Sequence, residues 1–176
     1  MYRYVPWLVL AVGVTLIATV FEPMFATRAV KSGPQGFAGQ AAPVFALQDD
    51  RGSTVSLDAY RHRIVVMNLW ASWCPPCREE MPDLQRLAER YGARGVAVVG
   101  VNEGESVERA HAFAASLRIR FPIWIDSAER YGRVYGALGL PTTVILNGQG
   151  VVIRGFDGPL TFDQMEAAAS AALHGS

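Results

Sequence analysis

Cys74-Pro75-Pro76-Cys77 contains the only two cysteines in the 176-residue chain, two residues apart. Thiols at that spacing can serve as half of a zinc site, as a haem attachment point or as a reversible disulfide. A zinc site lacks a second cysteine pair here, and the three histidines do not form a ligand pair. Haem attachment needs histidine after the second cysteine, where Arg78 stands. A disulfide closing so short a loop contributes little stability, because that effect grows with loop length. The residue types therefore point to redox chemistry.

The elements that would position the pair flank it. Ile64 to Trp70 is an apolar run long enough for a fully buried strand, and the periodic stretch after Cys77 reads as a helix from about Cys74 to Tyr91. One sulfur then lies at a helix N-terminus with the second within reach. Short strands are predicted at Val44 to Leu47 and Thr54 to Leu57 around the turn Asp49-Asp50-Arg51-Gly52. Further strands are predicted at Val96 to Val101 and Phe121 to Ile125. Ser106 is expected to cap a helix to about Leu117, and Ser127 a short helix to about Tyr135. Thr142 to Leu146 and Val151 to Phe156 read as a hairpin across Asn147-Gly148-Gln149-Gly150. Thr161 with Gln164 is a capping box opening the last helix, which ends near His174. Alternating strands and helices with a closing hairpin imply an α/β domain with a mixed sheet flanked by helices.

The amino end is different. Residues 4–21 carry no charge, and eighteen helical residues span about 27 Å against a hydrocarbon core of about 30 Å. The reading is a signal-anchor or transmembrane segment over 1–25, with a cleaved secretory signal as its rival. Residues 26–42, small and glycine-rich, read as a linker, and 43–176 as the globular domain. Half of the residues are hydrophobic (51%) and the formal net charge is zero, so a core can form and nucleic acid is not an expected partner. An exchanging cysteine pair and a slight positive charge bias favour a single-pass arrangement with the domain on the extracytoplasmic side.

Asn68-Leu69-Trp70-Ala71-Ser72-Trp73-Cys74-Pro75-Pro76-Cys77-Arg78-Glu79-Glu80-Met81-Pro82 resembles the active-site stretch of the thioredoxin superfamily, and most closely that of the membrane-tethered TlpA/ResA-like thiol-disulfide oxidoreductases. Gly139-Leu140-Pro141-Thr142-Thr143 is similar to that family's cis-proline loop. Val101 to Ser106, with the helix and strand that follow, is similar to the central βα insert of this branch. The resemblance covers about residues 43 to 174 and implies a thioredoxin fold with an N-terminal β-hairpin, anchored in the bacterial cytoplasmic membrane with the domain facing the periplasm.

On this footing Cys74 is expected to be the exposed nucleophile, its thiolate favoured by the helix N-terminus. Pro75 and Pro76 lack N–H groups, so mainly the Cys77 N–H remains to donate and the pKa depression is modest. Cys77, one turn in, is the more buried resolving thiol. The resemblance implies a cis Pro141, with the Leu140 backbone offered to an extended substrate. It also implies an active-site Glu80 that moves protons, the alternative being a solvated helix residue. Asn68 stands where thioredoxin has a buried aspartate. Trp73 is expected to shield the sulfurs and join the docking surface, whereas Trp70 packs in the core. Glu105 either shapes a specificity groove or is surface charge. His62 and His111 read as surface or packing residues. No metal site and no cofactor beyond the Cys74–Cys77 disulfide are expected.

The function expected is reduction of protein disulfides by a monomer. The resemblance implies apocytochrome c thiols as substrate in cytochrome c maturation, with electrons from a membrane thiol-reductant transporter. Two alternatives use the same cysteines: a general disulfide oxidant, and a copper-delivery or assembly factor.

Overall fold

The computed structural model describes residues 33–175. The apolar segment 1–25 and the first part of the predicted linker, 26–32, lie outside the described residues. Among the described residues no helix is long and apolar enough to cross a membrane.

Strand β3, Ile64–Trp70, is buried at every position. Its side chains divide by the period of two. Ile64, Val66 and Trp70 enter one apolar cluster, and Val65, Met67 and Leu69 another. β4, Val96–Glu103, lies parallel to β3, and β5, Ile123–Asp126, parallel to β4. β6, Thr142–Leu146, runs antiparallel on the other side of β3, followed by antiparallel β7, Val152–Asp157. The hairpin of β1, Leu47–Asp49, and β2, Thr54–Val55, joins the sheet through β1 against β5. The order is β2-β1-β5-β4-β3-β6-β7, a mixed sheet as expected. Asp49 Oδ1 accepts the N–H groups of Arg51 and Ser53, which folds the hairpin turn locally.

The helices are α1, Pro75–Tyr91; α2, Val107–Ser116; α3, Arg130–Tyr135; and α4, Phe162–His174. Met81, Leu84 and Leu87 of α1 are completely buried in the first cluster with Ala110 and Ala114 of α2 and Phe162 and Met165 of α4. Burying each such large side chain stabilises the fold by roughly 1.5–3 kcal/mol. Tyr131 and Tyr135 of α3 close the second cluster.

Three expectations need correction. The first strand runs Leu47–Asp49 and not Val44 to Leu47, and the second ends at Val55, with Leu57–Tyr60 a 3-10 turn. Ser127 does not cap α3. Its N-cap residue is Glu129, in the left-handed region at φ 52°, and the buried Asp126 serves the helix start by accepting the Tyr131 N–H at 2.9 Å. The described part of the predicted linker, 33–42, packs on the domain. Pro34–Phe37 form a 3-10 turn, Ala41 bridges Val151, and Gly39 and Ala42 donate to the carbonyls of Val152 and Gly150. A Cβ at Gly155 would stand 2.5 Å from Pro34, so glycine in β7 admits this close approach. Backbone groups that composition assigns to a solvated loop thus extend the sheet edge.

Candidate functional site

Cys74 is the N-cap of α1, with Pro75 and Pro76 in the first turn. Prolines suit these positions because the N–H groups they lack have no intrahelical partner there. The Cys77 N–H donates to Cys74 Sγ at 3.3 Å, and the two cysteines form a disulfide with their Cα atoms 5.3 Å apart. Both are closed off, Cys74 at 2% and Cys77 at 1% exposure. The expectation of an exposed Cys74 is therefore corrected for the oxidised form. Its side chain turns back over the first helical turn to bond Cys77, inside the cluster that holds Trp70 and Met81, with Leu140 packed against it. Trp73, one residue earlier, stands 68% exposed.

The Leu140–Pro141 peptide is cis, and Pro141 is buried at the start of β6. Its neighbours are tied down. Gly139 O accepts from Thr142 Oγ1 at 2.8 Å, and Pro141 O from the Gly158 N–H at 2.9 Å. The Leu140 N–H and carbonyl have no hydrogen-bond partner among the described residues.

Glu80 is not a solvated helix residue: it is 4% exposed and lies one turn beyond Cys77. Asn68 Nδ2 donates to Glu80 Oε1 at 3.2 Å and to Thr143 Oγ1 at 3.1 Å, joining β3, α1 and the proline-loop strand β6. Glu80 Oε2 is buried without a hydrogen-bond partner among the described residues. Burial pushes the carboxyl up to about 8; the Leu160 backbone opposes this and Asp83 adds to it.

Glu105 is neither surface charge nor groove wall alone. It accepts the Ser72 N–H at 2.7 Å, the Ser72 hydroxyl at 2.6 Å and the Asn102 amide at 2.7 Å, with Arg109 at 3.6 Å. Burial raises its pKa, but these hydrogen bonds and Arg109 outweigh it, and the net direction is down. The insert thereby holds the backbone two residues before Cys74. His111 is exposed and pairs with Asp50. Among the described residues no group of three or more His, Cys, Asp or Glu side chains could hold a metal ion.

The sequence reading missed Thr143 and Glu103. Thr143 carried no signal of its own. Glu103 did: the alternation of β4 continues past Val99 and Val101 onto the same face, so a strand extended two residues would bury it.

These features coincide with known proteins. Residues 38–154 match the AhpC/TSA family. The chain is 32% identical over 143 residues to the thiol-disulfide oxidoreductase ResA of Bacillus subtilis, covering 81% of this chain and 77% of that protein. A solved Chlorobium tepidum chain described as a thiol:disulfide interchange protein of the DsbE type is 33% identical, with TM-score 0.72, over 77% of this chain and 97% of that one. A secreted thiol-disulfide isomerase of Corynebacterium glutamicum is 25% identical, with TM-score 0.70, over 77% and 86%.

Proposed function

The chain belongs to the AhpC/TSA family and is a ResA-like thiol-disulfide oxidoreductase of the thioredoxin superfamily, and from that membership we propose that it works as a protein-disulfide reductase through Cys74 and Cys77. The observation that carries the reading is the Cys74–Cys77 disulfide at the start of α1, with Leu140 of the cis-proline loop packed on its cluster.

In the reduced state the Cys74 thiolate attacks one sulfur of the substrate disulfide. A Cys74–substrate bond forms, the substrate S–S bond breaks, and the leaving thiolate takes a proton. Cys77 then attacks Cys74 Sγ and expels the second substrate thiolate. Two electrons pass to the substrate, and the protein is left with the Cys74–Cys77 disulfide. Glu80, one turn from Cys77 and raised to about 8, close to the ordinary range of a thiol, is suited to exchange a proton with Cys77, accepting it in the ionised form that grows as pH rises toward 8. The unpaired Leu140 N–H and carbonyl are suited to align an extended substrate by strand pairing. Trp73 offers an exposed apolar face for docking. The disulfide itself is the only redox group the reaction needs.

An extracytoplasmic site of action, with the 4–21 segment as a membrane anchor, is supported by that segment's apolar length and by the secreted relative. Apocytochrome c is the substrate class we favour, with a membrane thiol-reductant transporter restoring the dithiol and a monomer as the working unit. The reading is tested by mixing the pre-reduced full chain with a disulfide-bonded apocytochrome. One substrate disulfide is expected to open for each Cys74–Cys77 bond formed. An intact substrate disulfide after full incubation would overturn it.

A further inference from the structure

A groove of about 330 Å³ begins one residue before the active-site cysteines. Trp73 and Leu140 line one side of it, Gly132 and Arg133 of α3 another, and Glu129 lies at its rim. Glu103, the last residue of β4, is at its floor and is only 5% exposed.

Glu103 has no part in the disulfide exchange described above, and packing does not account for it. Its neighbours on the same strand face are Val99 and Val101. Its Oε2 accepts the Gly132 N–H at 3.3 Å, while Oε1 is buried with no hydrogen-bond partner among the described residues. A buried polar atom left unpaired is unfavourable, so such a group needs a reason. A Cβ at position 132 would lie 2.9 Å from Glu103 Oε2, so glycine there is what lets the α3 backbone reach the carboxyl.

The charged groups facing Glu103 are Asp126 from β5, Glu129 at the N-cap of α3 and Arg133 from α3. Asp126 is already engaged by Arg130 Nε at 3.0 Å and the Tyr131 N–H at 2.9 Å. Glu129 and Arg133 are exposed. The groove thus holds two carboxyl groups against one guanidinium, and the Glu103 carboxyl that lines it has one buried oxygen unpaired among the described residues. Trp73 and Leu140 offer apolar surface to the methylene stem of a long cationic side chain.

We propose that this groove is a subsite for a lysine or arginine side chain adjoining the substrate cysteine, and that Glu103 is the specificity-determining residue that meets its charge. The proposal rests on the protein-disulfide reductase reading. Burial foremost, then Asp126, hold the Glu103 carboxyl up near 8 against the Gly132 N–H; Glu129 adds to this and Arg133 opposes it. An entering cation favours the carboxylate, so binding releases a proton. Preference for the cation therefore strengthens as pH rises toward 8 and levels off above it.

The test uses the reduced full chain and two disulfide-linked peptides, identical except for lysine or methionine beside the cysteine. The readout is the ratio of their kcat/KM values. Wild type is expected to favour the lysine peptide about 5-fold at pH 8.5, the size of one good ion pair, and less at pH 6. Glu103→Gln should bring the ratio near unity at both pH values. Arg133→Ala, at the exposed rim, removes a competing cation and should raise the ratio. A wild-type ratio of unity, or a Glu103→Gln enzyme that keeps the wild-type ratio and trend, overturns the subsite. If circular dichroism shows Glu103→Gln unfolded, an unchanged ratio in Arg133→Ala overturns it. Failure of wild type to reduce either peptide sinks the reductase reading, and the subsite with it.

Discussion

Asn68 Nδ2 holds Glu80 Oε1 at 3.2 Å beneath the first turn of α1, so the carboxyl next to Cys77 is fixed by an amide that cannot titrate. The other oxygen of Glu80 stays buried, with no hydrogen-bond partner among the described residues. Burial raises this carboxyl from 4.5 to about 8, and that of Glu103 likewise.

The raised values make oxidised-state stability fall with pH. Between about 4.5 and 8 the unfolded chain releases these protons while the folded chain keeps them, so unfolding is favoured as pH rises. The contribution is complete below 4.5 and gone above 8. Glu80→Gln is expected to remove about half of the fall in the urea midpoint between pH 5 and pH 8, and Glu103→Gln a similar share, because the two shifts are alike. Midpoints that fall equally in wild type and both variants would show that neither carboxyl is raised.

The two cysteines should separate by mutation. Cys77→Ser keeps the attacking thiol and lacks the resolver, so a disulfide-linked partner is expected to accumulate. Cys74→Ser is expected to abolish exchange. Non-reducing gels of cell extracts read both outcomes. A mixed disulfide that forms in Cys74→Ser and not in Cys77→Ser would mean that the roles are swapped.

Residues 33–42 should matter to stability. They supply backbone hydrogen bonds to Val152, Gly150 and Gly136 and place the buried Pro34 against Gly155. A chain of residues 43–176 is expected to melt at least about 5 °C below one of residues 33–176, given roughly 2–4 °C per kcal/mol for a domain of this size. Equal melting temperatures would return the segment to the role of a passive linker.

Glu105→Ala should loosen the turn before the cysteines. It leaves the Ser72 N–H and hydroxyl and the Asn102 amide without their acceptor. Denaturant unfolding of the oxidised chain should show a loss of about 2 kcal/mol, with Glu105→Gln intermediate because one oxygen remains. An unchanged midpoint in Glu105→Ala would show that Ser72 and Asn102 find water instead.

Much of this was legible residue by residue. The run of β3, apolar except for Asn68, needs burial on both faces, and Thr161 with Gln164 makes the capping box at α4, with Gln164 Oε1 accepting the Thr161 N–H at 2.9 Å. What was not legible depends on distant partners. Asp126 outcompetes Ser127 at α3 because it is buried among Arg130 and Tyr131. The hairpin of β1 and β2 looks self-contained, yet β1 pairs with β5. Residues 33–42 have loop composition, but Gly33, Gly39 and Ala42 donate to Gly136 just past α3, Val152 of β7 and Gly150 in the turn before it, more than a hundred residues away. Cys74 follows the rule for helix N-termini, but its exposure depends on packing around a closed disulfide.

The central claim is that the Cys74–Cys77 pair gives electrons to substrate disulfides. Pro75 and Pro76 remove two N–H donors that would otherwise favour the Cys74 thiolate, which works against a strongly stabilised reduced form. The most direct measurement is the reduction potential of the pair in the full chain, equilibrated with thiol-disulfide buffers and read by thiol alkylation. A value more negative than roughly −200 mV is what a reductase requires; a value near about −120 mV, the oxidising end of the superfamily, would contradict the account.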